Sequence, residues 1–327
     1  MLDTSKQLTV AVCASTGTQG LSVVRALSQA PDKYRVLALT RSPSSASTLS
    51  VLSRFGPLVL PTYFNIDDVS SVRAAFKQAD VVYAVTIPDP SIVVRKPGAK
   101  STTGMLSEEE QGKRMADVAK EVGVELFLWS TLPDNRHLPG NADGKLPIIV
   151  REQKLAVNEY IKAIDLPAVF IELGFFNENL IKYQRLTKND DGTLTYTLPH
   201  ASLDSHTYAH TSIDRDLGPV VRLLIEHFND RELNLNHKNV ALVAGLWSNR
   251  EVLAALEKAT GRKVHLVAPD VFGEPGSYYD NMFKAMASED SVIIDPARLP
   301  DPTLKKLGYR LQPFEEFAEE TIKPLFA

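Results

Sequence analysis

Apolar positions in the first half of the chain form short, nearly unbroken runs separated by stretches with helical spacing. The runs are Leu8 to Cys13, Arg35 to Thr40, Pro57 to Pro61, Val81 to Val85, Leu126 to Trp129 and Ala168 to Glu172. Unbroken apolar strands are what a parallel sheet covered on both faces requires. Between them, Leu21 to Gln29, Val69 to Gln78, Ser107 to Val122 and Val150 to Ala163 read as amphipathic helices. Ser107 is placed to cap the third of these, and Glu108, Glu109 and Glu110 complement the positive end of its dipole. The alternation predicts an α/β fold, a Rossmann-type doubly wound parallel sheet.

After Leu173 the rhythm becomes irregular. Thr193 to Leu198 alternates like a strand, Val220 to Phe228 reads as a helix and Val240 to Val243 as a strand. Arg250 to Thr260 is a predicted helix closed by Gly261, and Tyr278 to Ala287 and Phe314 to Ile322 are predicted helices. The expectation is a Rossmann domain over residues 1–165, completed by parts of 166–236. Residues 166–327 then form mostly a smaller, interleaved C-terminal α/β substrate part with a discontinuous boundary.

One turn carries most of the chemistry. Ala14-Ser15-Thr16-Gly17-Thr18-Gln19-Gly20 follows the first strand and opens the first helix. Glycines there let the backbone approach a pyrophosphate, and the N–H groups of the helix N-terminus hold the anion. The second strand ends at Thr40-Arg41-Ser42, with no carboxylate where an NAD-specific fold places one on the ribose. A guanidinium pairs with a 2′-phosphate and a carboxylate repels it. The cofactor expected is therefore NADP(H), with Ser42, Ser44 and Ser45 as further hydroxyl donors in a loop.

Length and composition narrow the remaining choices. The chain has 327 residues, 44% hydrophobic and 23% charged, enough for a large core. A net charge of −4 argues against direct nucleic-acid binding and against an anionic membrane surface. No apolar run is long enough to span a bilayer, and the N-terminal residues lack a signal-peptide layout. Cys13 is the sole cysteine, so disulfides and a cysteine metal site are excluded, and a reducing, cytoplasmic or nuclear setting is expected. No metal ligand set is expected, and no oligomeric state can be read from the sequence.

Lys154, on the predicted helix Val150 to Ala163, is a candidate for orienting a nicotinamide ribose or moving a proton. A tyrosine four residues earlier would complete the usual dehydrogenase pair, but Val150 stands there. Ser130, at a strand exit, and His137, in a loop, are the other candidate catalytic residues. Phe175, Phe176, Tyr208, Tyr278, Tyr279 and Phe283 are candidate walls of an apolar pocket. The polar stretches Pro88 to Met105 and Leu132 to Leu146 follow strand ends and are candidate lids.

These motifs together resemble the NmrA-like family of atypical short-chain dehydrogenases, related to isoflavone-reductase-like proteins. The likeness runs through Ser15 to Gly20, Thr40-Arg41, Gln111-Gly112-Lys113, Trp129-Ser130-Thr131, Lys154, Phe176 to Leu180 and Asp214 to Val220. It extends to Asn281-Met282-Phe283. It departs from the family pattern at Ala14, in place of the first glycine, and at Asn65, in place of an aspartate near adenine. The resemblance implies NADP(H) contacts at Ser15, Thr16, Gly17, Thr18, Gln19, Gly20, Arg41, Ser42, Asn65, Ile66, Thr86, Lys154, Phe175, Phe176 and Asn177. It implies a small-molecule pocket at Pro88, Thr131, Phe176, Tyr208, Tyr279 and Phe283. The expected activity is reduction of a quinone, an enone or an aromatic metabolite by NADPH. The alternative is a non-catalytic NADP(H) sensor that binds a transcription factor or other protein.

Overall fold

The computed structural model describes residues 2–88, 104–134, 149–203, 207–287 and 294–326. The strands are β1 (Leu8–Val12), β2 (Tyr34–Thr40), β3 (Val59–Tyr63), β4 (Val81–Ala84), β5 (Leu126–Thr131), β6 (Ala168–Leu173) and β7 (Phe175–Phe176). They continue as β8 (Leu186–Lys188), β9 (Leu194–Thr197), β10 (Thr207–Thr211), β11 (Lys238–Leu242), β12 (Gly245–Ser248) and β13 (Val264–Val267). The main helices are α1 (Thr18–Ser28), α2 (Ala46–Leu52), α3 (Val69–Phe76), α4 (Glu108–Val122) and α5 (Ile149–Ala163). They are followed by α6 (Asn179–Lys182), α7 (Gly218–Glu226), α8 (Asn249–Thr260) and α9 (Tyr278–Ala287).

Seven strands form one parallel sheet in the order β11-β6-β5-β4-β1-β2-β3. The chain winds outward from β1 through β2 and β3, then returns to β4 on the other side of β1. That reversal between β1 and β4 opens the crevice in which such sheets bind ligands. One face of the sheet buries Val23, Val24 and Leu27 of α1 against Val220, Val221 and Leu224 of α7. The other buries Val72 and Phe76 of α3, Met115 and Ala119 of α4, and Val157 and Ile161 of α5. Both faces are covered, which is why the central strands need no polar alternation.

Two close approaches set the layers. A Cβ at Gly112 would lie 2.6 Å from Val157 and 3.0 Å from the Trp129 ring, so α4 can sit on α5 and β5 only without a side chain there. A Cβ at Gly218 would strike the Ser22 carbonyl, and Ser22 Oγ bridges the two elements by donating to the Ile213 carbonyl at 2.7 Å.

Two three-stranded sheets, β12-β10-β7 and β13-β9-β8, carry the C-terminal part. Its own core includes Leu180, Tyr196, Tyr208, Leu256, Phe283, Phe314 and Phe317. β6 and β11, from the second half of the chain, complete the large sheet, β11 lying just past residue 236. The serine-rich loop expected after β2 is instead helix α2: Ser45 caps it, its hydroxyl accepting from Thr48 N at 3.2 Å. Ser45 is thus committed to local structure. Cys13 is buried against Met115 (Sγ to Sδ 3.8 Å), and burial pushes its thiol up to about 12, as suits a packing residue. Among the described residues no group of His, Cys, Asp or Glu is arranged to hold a metal, and no helix is long and apolar enough to cross a membrane.

Candidate functional site

The turn after β1 is wound tightly. Ala14 adopts a left-handed φ of 48°, the conformation a glycine takes without strain, and its carbonyl accepts from Gly17 N at 2.8 Å. A Cβ on Gly20 would run into that same carbonyl and into Cys13 O. α1 therefore begins with its backbone pressed onto the strand exit, and its first turn has no side-chain cap and no acidic residue. Ser15 is turned inward, donating to Leu39 O at 3.0 Å, while Thr16 is exposed. Lys182 of α6 reaches across and donates to Thr18 Oγ1 at 3.0 Å. An ammonium at the positive end of a helix dipole is the wrong sign for mutual stabilisation, unless an anion sits between them. The donor chemistry of this turn therefore fits a pyrophosphate.

At the end of β2, Arg41 and Ser42 are exposed, and among the described residues no carboxylate pairs with Arg41. At the end of β3, Asn65 is half-buried. Its Oδ1 accepts from Asp67 N at 3.2 Å, and Ser71 Oγ donates to its carbonyl at 3.0 Å. The carbonyl of Ile66 accepts from Arg114 of α4 at 2.9 Å.

Deeper in the crevice two polar clusters line the carboxyl ends of β1, β4 and β5. In the first, Gln19 Oε1 accepts from both Tyr83 OH and Ser130 Oγ, each at 2.7 Å. Burial pushes the Tyr83 phenol far above its usual range, so it stays protonated and can donate to Gln19. In the second, Lys154 Nζ lies 3.1 Å from Glu108 Oε1 and donates to Thr86 Oγ1 at 2.9 Å. Thr86 in turn donates to Glu108 at 2.6 Å, closing a triangle. Lys154 and Glu108 are only 8% and 4% exposed, so the ion pair is desolvated. The ammonium also sits 5.2 Å from the centre of the Trp129 ring. Gln153 Oε1 accepts from Glu108 N, and Gln111 grips Ile87 through both of its backbone groups. α4 and α5 thereby fix the segment leaving β4.

Sequence reasoning brought Gln19, Ser130, Thr86 and Lys154 to this region and missed Glu108, Tyr83 and Lys182. Glu108 was read as one of three dipole-complementing acids. Only its position, facing a lysine on the adjacent helix α5, turns it inward. Thr131 is buried, with Oγ1 meeting no acceptor among the described residues.

The C-terminal candidates divide. Phe175 packs on the C-terminal core and Phe176 on the main one, both half-buried. Asn177, expected at the cofactor, is turned into the protein: it donates to Ser212 Oγ at 2.8 Å and its Oδ1 meets His210 Nδ1 at 2.7 Å. The orientation of the amide fixes the proton on His210 Nδ1, and burial pushes that histidine down to about 3. Tyr208 and Phe283, expected to wall a pocket, are 2% exposed and belong to the C-terminal core. Aromatic spacing alone does not tell core from wall. Tyr279 stays partly exposed. Burial first, then Tyr183 and Glu108, raise its phenol, placing it within electrostatic reach of the Lys154 cluster. Pro88 is half-buried at the last described position of its segment. His137, most of both candidate lids and the side chain of Tyr278 lie outside the described residues.

A family model described as the NmrA-like family matches residues 6–317. The NmrA-like family domain-containing oxidoreductase FrzB of Cladobotryum sp. is 26% identical over 269 residues, 78% of this chain and 74% of FrzB. The nitrogen metabolite repression protein nmrA of Emericella nidulans is 24% identical over 271 residues, 79% of this chain and 67% of that protein. Among solved structures, the negative transcriptional regulator NmrA in complex with NADP superposes with a TM-score of 0.74 at 21% identity, covering 98% and 97% of the two chains. The Citrobacter sp. triphenylmethane reductase complexed with NADP(H) gives 0.65 at 15%, covering 96% and 99%. At these identities the solved structures establish a common fold.

Proposed function

This chain belongs to the NmrA-like family, and from that premise we propose that it is an NADP(H)-dependent reductase of a small, largely apolar or aromatic substrate. The observation that carries the reading is the succession of polar groups at the carboxyl ends of β1, β4 and β5. It runs from the uncapped α1 N-terminus and Lys182, through Gln19 and Ser130, to the buried Lys154–Glu108–Thr86 triangle. The first end is suited to a pyrophosphate, and Arg41 is suited to a 2′-phosphate. The second end presents a fixed positive charge beside a sealed aromatic floor, Trp129.

When bound, NADPH supplies a hydride; the rest is the work of the side chains. Lys154, locked by Glu108 and Thr86, orients hydroxyls and holds positive potential where an acceptor gains negative charge. Tyr279, kept protonated by its surroundings, or a water supplies the proton that the missing tyrosine of the usual pair would give. Phe175, Phe176 and Tyr279 limit access of water.

The test is loss of nicotinamide absorbance when the protein and NADPH meet a panel of quinones, enones and aromatic carbonyls. Turnover of any member supports the reading, and tight NADPH binding without turnover across the panel opposes it. In that case the second reading takes over, a dinucleotide-sensing regulator. It is favoured by the closed Lys154–Glu108 pair, which already occupies the ammonium, and by the regulatory names of some relatives. Its mark is capture of a protein partner that depends on which dinucleotide is bound.

A further inference from the structure

We propose that Arg185 anchors the carboxylate of a flat aromatic acid, a substrate class that the reductase reading leaves open and on which this inference builds. Arg185 lies between α6 and β8. Its guanidinium stacks on two rings, 4.8 Å from the centre of Phe283 and 5.5 Å from that of Phe272. Its Nε is shielded from solvent and meets no acceptor, and among the described residues the guanidinium makes no ion pair. The charged or polar groups that act on it are three phenols, Tyr196, Tyr208 and Tyr183, with no carboxylate among them.

Several other half-buried arginines have partners, and Arg222, whose Nε also lacks a hydrogen bond, still lies 3.7 Å from Glu226. Arg262 donates to the carbonyls of Phe326 and Gly192, Arg114 to that of Ile66, and Arg298 pairs with Glu172. A guanidinium nitrogen shielded from water and left without an acceptor is costly, and burial does disfavour the charged form. The ring faces recover part of that cost as cation–π attraction but accept none of its in-plane N–H groups. Those N–H groups form a planar fork, which a carboxylate matches with two parallel bonds.

Position links this fork to the crevice. Phe283 lies one helical turn after Tyr279 on α9, and Phe272 touches both rings, at 5.1 and 6.0 Å. Tyr279 in turn feels Glu108 of the Lys154 triangle. Three residues before Arg185, Lys182 reaches the glycine turn. An aromatic acid lying along Tyr279 and Phe272, with its carboxylate on Arg185, would extend toward Lys154. The aromatic lining favours this over a phosphate ester, for which a single arginine supplies too few donors.

The probes are trans-cinnamate and methyl cinnamate, neutral at the carboxyl and otherwise alike, titrated in the presence of NADP+ into the wild type, Arg185→Met and Arg185→Lys. The wild type is expected to bind the acid at least ~10-fold more tightly than the ester, as suits a charge-assisted pair. Arg185→Met should lose that preference while its ester affinity stays put, and Arg185→Lys should keep part of it. Circular dichroism melts confirm that each variant is folded. No preference for the acid in the wild type, or a preference that survives in Arg185→Met, overturns the proposal. NADPH titration of the same samples separates the two readings: normal NADPH binding without acid preference removes Arg185 alone, whereas acid preference without NADPH binding removes the reductase.

Discussion

Replacing Lys154 with Met would strand Glu108 in a site that is 4% exposed, with Thr86 as its single remaining side-chain partner. A buried pair broken from one side costs about 3–5 kcal/mol, because the survivor keeps its desolvation and loses its counter-charge. The expected destabilisation is therefore about 4 kcal/mol, read from urea denaturation of wild type and variant. The double variant Lys154→Met/Glu108→Gln, with no buried charge, should recover most of the loss. A penalty below about 1 kcal/mol, or a double variant no better than the single, would refute a desolvated, mutually dependent pair.

Other parts of the molecule give sharper yes-or-no tests. Arg41→Asp puts a carboxylate beside the 2′-phosphate, so NADPH affinity should drop by ~100-fold while NADH changes less than ~3-fold, by competitive fluorescence titration; equal losses would remove Arg41 as the discriminator. Gly20→Ala presses a methyl onto the backbone of Ala14 and Cys13 and should weaken both dinucleotides alike while destabilising the fold by about 1–3 kcal/mol. His210 is held near 3 by burial, below its unfolded value of about 6.5, so the unfolded chain binds the extra proton and stability is lost as pH falls below 6.5. Between pH 6 and 5 the wild type should lose about 1.2 kcal/mol more than His210→Gln, and matching slopes would show that His210 is not held neutral.

The sheet was legible because a parallel strand buried on both faces leaves an unbroken apolar run, and six of its seven strands lie in such runs. The glycine turn was legible because a backbone approach needs small residues at fixed spacing. Short strands such as β7 and β8, two and three residues long, carry no periodicity to read. α2 was hidden by the serines that cap it, since Ser45 looks the same in a cap as in a loop. At the site, Lys154 stood out by position, whereas Glu108 lay among three consecutive glutamates, and only tertiary packing selects which one turns inward. Asn177, Tyr208 and Phe283 show the converse. Their types suit a ligand, but their neighbours, His210, Ser212 and the C-terminal core, occupy them. Arg185 carried no signal in the sequence, because what distinguishes it is the lack of a partner.

The glycine turn and Arg41 are the two features that would make this crevice a site for NADP(H). Titration of the wild-type protein with NADPH and NADH, followed by nicotinamide fluorescence, tests it most directly. Saturable NADPH binding, tighter than NADH by ~10-fold or more, is the predicted result. Absence of saturable binding by either dinucleotide, or a preference for NADH, would contradict it.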